Sequence, residues 1–253
     1  MDARLRRQNA EYWDRRAPSY TDVVRKNLAD GWAAAWADLL ISHFPAEAPE
    51  TLRVLDVGTG PGFYAIILAE RGYRVTAVDF SEEMLAEAKR NAGDNAERID
   101  FRHMDAQALD FPDGSFDAVV TRNLTWNLPD PEKAYCEWLR VLRPGGALLN
   151  FDANWYAYLV DEAQRKAFER DRENTRKMQV EDHESYAESR LMEDISRCLP
   201  MTARRRPDWD LEALRALGCS RVTADRRAGE RVWSEEEKIN YASTPGFLIR
   251  AVK

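Results

Sequence analysis

Cysteine is scarce in this chain of 253 residues. There are three, Cys136, Cys198 and Cys219. An odd number with no CxxC pair argues against a disulfide framework. With three histidines as well, no zinc-ligand spacing appears, so no metal is expected. Long apolar runs are lacking too. The longest, near Ala65–Ala69, is too short to span a bilayer. The opening stretch from Met1 to Tyr20 has no apolar segment of the kind a signal peptide carries. The expectation is therefore a cytoplasmic protein with no membrane partner. Positive charge is not in excess: Lys and Arg number 37 against 44 Asp and Glu, a net charge of −7. An acidic chain repels phosphate backbones, which predicts no nucleic-acid partner. Internal repeats and low-complexity tracts are also missing.

What is present is an ordinary globular composition, 44% hydrophobic, enough for one large domain with an insertion. From Thr51 to Ala153, β-rich runs alternate with helical ones. Leu52–Val57, Arg74–Phe80, Ile99–Met104, Phe116–Thr121 and Ala147–Phe151 read as strands. Phe63–Arg71 reads as a helix stopped by Gly72. Ser81 is placed to cap the helix that follows the second strand, and Asp130-Pro131 opens a helix running to about Leu142. Arg143-Pro144-Gly145-Gly146 breaks it. Such alternation implies βαβ units and a parallel sheet, buried on both faces.

After Ala153 the pattern changes to charged helical segments, Asn154–Met178 and Ser185–Leu199. Sheet-like patterning then resumes, with a short helix Leu211–Leu217 capped by Asp210 and strands Ser220–Ala224 and Phe247–Val252. The expected division is residues 1–48 as a helical N-terminal cap, 49–153 as the ligand-binding core, 154–208 as a helical insertion, and 209–253 as the completion of the sheet.

The strongest chemical signal is Val54-Leu55-Asp56-Val57-Gly58-Thr59-Gly60-Pro61-Gly62. A strand delivers the chain to a glycine turn and a helix leaves it. This lets backbone N–H groups approach a ligand at the helix N-terminus. A dinucleotide fingerprint needs glycine or alanine at position 63. Phe63 stands there, which weighs against a nicotinamide enzyme. Asp79 ends the second strand, where a carboxylate can accept both hydroxyls of a ribose. Asp105-Ala106 ends the third, where an acid and a small residue can meet an adenine edge. Each has a plainer reading: a mere turn, a helix cap, a surface acid.

Taken together, Val54–Phe151 resembles the class I S-adenosylmethionine-dependent methyltransferases, and within them the small-molecule branch of ubiquinone and menaquinone biosynthesis. The matching runs are VLDVGTGPG, VTAVDFSEEML, HMDAQALDFPDGSFDAVVTRN and EWLRVLRPGGALLNFD. The resemblance implies an α/β fold, a doubly wound, mainly parallel seven-stranded sheet of Rossmann-like type, with 154–208 as a helical lid. It implies S-adenosylmethionine as cofactor. Gly58, Gly60 and Gly62 would cradle its amino-acid part, with Asp56 orienting that end. Asp79 would hold the ribose. Phe80, Met84, Asp105 and Ala106 would meet the adenine, and Arg122 and Asn123 would lie near the methyl group. Tyr12, Trp13 and Tyr20 sit in a pattern similar to the helix that covers the cofactor in this family; an ordinary helix–core contact is the rival reading.

In an open α/β sheet the ligand lies beyond the C-terminal strand ends. The segments after the fourth and fifth strands are therefore the acceptor candidates, with Trp126, Asn154, Trp155 and Tyr156 as pocket residues for a small-molecule substrate. Packing of the inserted helices is the plainer alternative for these aromatics. Methyl transfer from a sulfonium needs positioning more than acid–base chemistry; if a catalytic group exists, the candidates are His183 and Tyr156. Arg204-Arg205-Arg206 reads as a solvated run, or as a greeting for an anionic substrate. A homodimer is permitted but not demanded. The competing classes are a non-catalytic cofactor-binding or interaction protein on the same fold, and an NAD(P)-dependent oxidoreductase.

Overall fold

The computed structural model describes residues 3–253. In chain order its strands are β1 (Arg53–Val57), β2 (Arg74–Asp79), β3 (Ile99–His103), β4 (Phe116–Arg122), β5 (Leu142–Asp152), β6 (Arg221–Asp225) and β7 (Phe247–Val252). They form one sheet in the order β3-β2-β1-β4-β5-β7-β6. All neighbours are parallel except that β7 runs antiparallel to both β5 and β6. The order reverses between β1 and β4, which opens a crevice at their C-terminal ends, the usual ligand position in such sheets.

Side chains on these strands alternate between two cores. Val54, Val75, Ala77, Ala118, Val120 and Leu149 face one cluster. Leu55, Val57, Val78, Val119 and Leu148 face the other. Burial on both faces is why the strands read as unbroken apolar runs. The first cluster is covered by helices α2 (Trp32–Ile41) and α3 (Phe63–Glu70) and by part of α1 (Ala3–Ala29). The second is covered by α5 (Pro131–Val141) and α8 (Asp208–Ala216). Helix α4 (Glu82–Ala92) follows β2. Between β5 and α8 lie α6 (Glu162–Met178) and α7 (Ser189–Arg197), and between β6 and β7 lie the short α9 (Gly229–Val232) and α10 (Glu235–Asn240). A third, smaller cluster joins α1 to the insertion through Leu5, Tyr12, Trp126, Tyr156, Tyr158 and Met192. No helix among the described residues is long and apolar enough to cross a membrane.

Local capping signals act as read. Ser81 accepts a hydrogen bond from the Met84 amide, and Asp130 from the Lys133 amide. The differences fall mostly after Asp152. The helix expected from Asn154 begins instead at Glu162, where Asp161 caps it by accepting from the Gln164 amide; residues 154–160 form a loop with one short 3-10 turn, Ala157–Leu159. The next helix is trimmed to Ser189–Arg197.

Two polar residues take roles opposite to those expected. Asp210 does not cap α8 but lies within it, buried, accepting from the Tyr135 hydroxyl at 2.6 Å. Arg206 is not part of a solvated run: it is 3% exposed. Its guanidinium donates to Asp210 at 2.8 Å and to Asp152, the last residue of β5, at 2.5 Å. A buried cation between two buried carboxylates is tolerable because each charge is compensated and hydrogen-bonded.

Candidate active site

The loop between β1 and α3 is built from three left-handed glycines, Gly58 (φ 68°), Gly60 (φ 52°) and Gly62 (φ 92°). Their surroundings differ. A Cβ on Gly62 would lie 3.1 Å from the Ala88 Cβ and 3.2 Å from its Cα, so this glycine lets α3 approach α4. A Cβ on Gly60 would meet nothing nearer than the Tyr20 ring at 3.9 Å; it faces open space. The loop is pinned from below by Asp56, whose carboxylate accepts from the Thr59 hydroxyl at 2.6 Å and the Ala65 amide at 3.0 Å. Burial pushes the Asp56 carboxyl up to about 7, against the pull of those two hydrogen bonds. From β2, Asp79 accepts from the Gly60 amide at 2.8 Å and the Ser81 amide at 2.9 Å, and burial raises its carboxyl as well. Asp79 thus shapes the loop in addition to offering a carboxylate to the crevice.

Around this loop a single cavity gathers residues from the C-terminal ends of β1, β2, β3 and β4. One end is lined by Phe80, Met84, Met104, Asp105, Ala106 and Gln107, the other by Phe63, Tyr64, Arg122, Asn123, Leu124 and Asn127. Helix α1 forms the roof with Arg6, Asn9, Ala10, Trp13, Tyr20 and Val24. Phe80 stands 53% exposed at the rim. Asp105 accepts from the Gln107 amide at 2.8 Å, which fixes its carboxylate at the first of these ends. Arg122 lies over the rings of Trp36 and Phe63, 4.5 Å from each centroid, and donates to Asn27 of α1.

Four buried polar atoms on the cavity residues have no partner among the described residues: Arg122 Nε, Asn123 Oδ1, Tyr64 Oη and Asn9 Oδ1. Buried polar groups are normally paired, so this group of unmet donors and acceptors is what a polar ligand satisfies. Asn123 also carries φ 55°, rare for a residue with a side chain. Its strained backbone is held by its amide donating to Phe151 and its carbonyl accepting from the Trp126 indole. Strain retained at such a position marks functional sites. The donor set fits an adenosyl amino acid: a main-chain cradle without side chains, a carboxylate beside it, and amide and guanidinium groups at the opposite end.

Of the cofactor residues read from the sequence, Tyr20, Asp56, Gly58, Gly60, Asp79, Phe80, Met84, Asp105, Ala106, Arg122 and Asn123 line this one cavity. Gly62 and Tyr12 do not. Gly62 supports the helix behind the loop, and Tyr12 points away from the crevice, its hydroxyl donating to Tyr186 at 3.3 Å.

The acceptor residues are displaced further. The Asn154 amide exchanges hydrogen bonds with the main chain of Arg206. The Trp155 indole donates to Asp152 and packs on Tyr241 and Trp233. Trp126 sits behind Trp13 and against Tyr156, outside the crevice lining. Tyr156 belongs to a separate cavity in the insertion, and burial holds its phenol well above the usual range, so it stays protonated at neutral pH. His183 is held between the Tyr241 hydroxyl and Glu236, away from the crevice. Glu181, His183 and Glu236 bring ligand atoms within 4.8 Å of one another, but Lys26 supplies the positive charge there, 3.2 Å from Glu236 and 3.7 Å from Glu181.

Sequence reasoning passed over Arg6, Asn9, Tyr64 and Gln107. On α1 a signal existed: Arg6, Asn9, Trp13 and Tyr20 recur at spacings that share one helical face. The others become cavity residues only through long-range packing. Asn9 donates to Asn127, 118 positions away, and the Trp13 indole donates to the same amide oxygen.

Residues 55–150 match the methyltransferase domain family. A demethylmenaquinone methyltransferase of Thermus thermophilus is 41% identical over 135 residues, covering 53% of this chain and 60% of the relative. A ubiquinone/menaquinone biosynthesis C-methyltransferase of Methylobacterium nodulans is 39% identical over 132 residues, 51% of this chain and 52% of the relative. This chain thus spans about half to three fifths of the length of these relatives. Among solved structures, a SAM-dependent methyltransferase from Aquifex aeolicus has a TM-score of 0.57 at 18% identity, covering 94% of this chain and 97% of the other. A Haemonchus contortus enzyme described as phosphoethanolamine N-methyltransferase 2, in complex with S-adenosyl-L-methionine, gives 0.57 at 20% identity over 90% of this chain and 52% of that one. At these identities the solved structures bear on the fold alone.

Proposed function

We propose that this chain, whose residues 55–150 match the methyltransferase domain family, is a class I S-adenosylmethionine-dependent methyltransferase that transfers a methyl group from S-adenosylmethionine to a small-molecule acceptor. One observation carries the reading. The glycine loop, Asp79, Asp105-Ala106 and Arg122-Asn123, each from a different strand end, converge on one cavity roofed by α1. The cofactor, when bound, supplies a methyl group on a positively charged sulfur, activated for direct displacement.

The chain's own residues bind and orient. The Gly58–Gly60 main chain takes the amino-acid end, and Asp79 offers its carboxylate to the ribose hydroxyls. Met84, Asp105 and Ala106 bound the base, with Phe80 at the rim. Arg122 and Asn123, with their unmet polar atoms, face the reacting end. The acceptor is bounded by Asn9, Trp13 and Asn127 on the roof side, in place of Asn154 and Trp155. The cavity presents no histidine, lysine or cysteine among the described residues, and its acid–base groups are the carboxylates Asp56, Asp79 and Asp105 and the phenols of Tyr20 and Tyr64; positioning and desolvation are the roles assigned to the site. Holding two reactants in line in a dry site supplies on the order of 7–11 kcal/mol of barrier reduction. Residues 1–48 act as the cap and 154–208 buttress that cap from outside.

The test joins binding to turnover. Calorimetry with S-adenosylhomocysteine, NAD and NADP is expected to give heat with the first alone. Incubation with methyl-labelled cofactor and a metabolite extract is then expected to yield a labelled small molecule by mass spectrometry. Binding of a dinucleotide in place of S-adenosylhomocysteine overturns the cofactor assignment; binding of S-adenosylhomocysteine without any labelled product overturns the transfer.

A further inference from the structure

Among the unpartnered atoms around the crevice, the side-chain oxygen of Asn9 is the one whose identity its neighbours fix. The Trp13 indole can only donate, and it donates to the Asn127 side chain at 2.8 Å, so the atom it meets is Oδ1. The Asn127 amide nitrogen is thereby turned the other way, towards the Met192 sulfur at 3.8 Å. The Asn127 main-chain carbonyl can only accept, and Asn9 meets it at 3.1 Å. The Asn9 atom placed there is therefore its amide nitrogen, which also donates to Asn127 Oδ1 at 2.9 Å. Neither carboxamide can turn over without setting like groups face to face. Asn9 Oδ1 is left as a hydrogen-bond acceptor on a residue 8% exposed, sealed from solvent, with no donor among the described residues.

Asn9 stands on the face of α1 that roofs the crevice, beside Ala10 and Trp13, and Leu124 and Leu128 line the same cavity. The cofactor has three kinds of donor: its ammonium, its ribose hydroxyls and the amine of its base. The binding mode proposed above meets these at the Gly58–Gly60 main chain, at Asp79 and at Asp105, on the strand ends beneath the roof. The unmet oxygen of Asn9 is left for the second reactant. A buried oxygen without a donor is costly, and a hydroxyl or N–H group on the methyl acceptor removes that cost. An ether, a ketone or a neutral tertiary amine has no hydrogen to give. A carboxylate would set a second accepting group, and a charge, against the first.

We propose that Asn9 selects the methyl acceptor by accepting a hydrogen bond from a hydroxyl or N–H group of that molecule. The proposal rests on the methyl-transfer reading and adds to it the class of molecule taken. Asn9 is a specificity-determining residue here, not a base: a carboxamide oxygen accepts the hydrogen bond without taking the proton. The pair Trp13–Asn127 acts through it, holding the oxygen in its orientation. Such a site discriminates by leaving its own polar group unpaired when the wrong molecule enters.

The test uses the full chain loaded with S-adenosylhomocysteine, whose binding is measured by calorimetry. Saturation-transfer NMR titrations then compare two matched pairs, benzyl alcohol with benzyl methyl ether and aniline with N,N-dimethylaniline, and benzoate beside them. In at least one pair the donor-bearing member is expected to bind at least fivefold more tightly, the order of effect one hydrogen bond supplies, and benzoate no better than the ether. In Asn9→Leu that preference is expected to fall below twofold, with affinity for S-adenosylhomocysteine within threefold of the parent. Asn9→Ala, which adds no bulk, is expected to do the same and serves if the leucine variant does not fold. Lys26→Met removes a different tie of α1, to Glu236, and is expected to keep the preference, which separates the missing oxygen from a loosened roof. With S-adenosylhomocysteine bound, four results overturn this proposal alone: no preference in either pair, a preference that survives in the Asn9 variants, an equal loss in Lys26→Met, or no binding of any probe at millimolar concentration. Failure of the parent chain to bind S-adenosylhomocysteine overturns the methyl-transfer reading and this proposal with it.

Discussion

Gly60 and Gly62 share a left-handed backbone but have different neighbours, and that difference separates binding from stability. At Gly60 an added methyl group enters the cavity; at Gly62 it enters the contact between α3 and α4. Left-handed strain costs a non-glycine residue about 1–2 kcal/mol at either position. Gly60→Ala is therefore expected to lower unfolding stability by that amount alone, and to weaken S-adenosylhomocysteine binding more than tenfold. Gly62→Ala adds overpacking against a backbone atom that cannot swing aside, of order 1–3 kcal/mol. It is expected to be the less stable protein while losing less affinity once folding is allowed for. Urea titration and calorimetry on the two variants check the pair. A Gly62→Ala protein as stable as Gly60→Ala would show the packing argument to be wrong.

At the scale of elements, the insertion is attached to the sheet by Arg206. This side chain reaches from the segment before α8 to Asp152 at the end of β5 and to Asp210 in α8. Asp152 in turn accepts from the Trp126 amide and the Trp155 indole, so one carboxylate ties together the segments leaving β4 and β5. Arg206→Ala strands two buried carboxylates and is expected to cost about 3–5 kcal/mol. Its neighbour Arg205, 91% exposed at the side chain, is expected to change stability by less than about 0.5 kcal/mol on replacement by alanine. Equal denaturation midpoints for the two variants would contradict the structure.

That neighbouring pair also measures what a sequence discloses. Strands β1, β2, β4 and β7, the caps Ser81 and Asp130, and the glycine loop were legible because their causes are local: apolar runs, turn residues, a side chain bonding an amide three positions on. Arg206 and Asp210 looked like solvent and a helix cap, since their partners Asp152 and Tyr135 lie 54 and 75 positions away. The same holds at the site. The proposed cofactor end sits on strand ends whose order the alternation predicts, whereas the proposed acceptor end depends on how α1 and the insertion pack. Asn154 and Trp155 were read by chain proximity to β5, and the loop that carries them turns their side chains onto Arg206 and Asp152.

At the scale of the whole molecule, buried carboxyls set how stability follows pH. Asp56 titrates at about 7 in the folded chain against an ordinary 3.8 because burial disfavours its charge, and Glu184 is pushed to about 7 from 4.5 for the same first reason. Between those values the folded state holds protons that the unfolded state has released. Their contribution is therefore full below about pH 4, is lost as pH rises towards about 7, and is level beyond. Denaturation midpoints are expected to decline between about pH 4 and pH 7, and the combined change Asp56→Asn with Glu184→Gln is expected to reduce that slope. An unaltered slope in the double variant would mean that these two groups are not the ones retaining protons.

Helix α1 is fastened along its length by separate polar ties: Asn9 and Trp13 to Asn127, Asp14 to Ser81, Thr21 and Arg25 to Asn91, and Lys26 to Glu236. Each is modest, and each is exchanged for water when it opens. A nucleoside-sized molecule passing beneath this helix need not lift it as a rigid bar. The ties are separate and spread along the helix, so the parting of one, like a single tooth of a zip fastener, leaves the others in place.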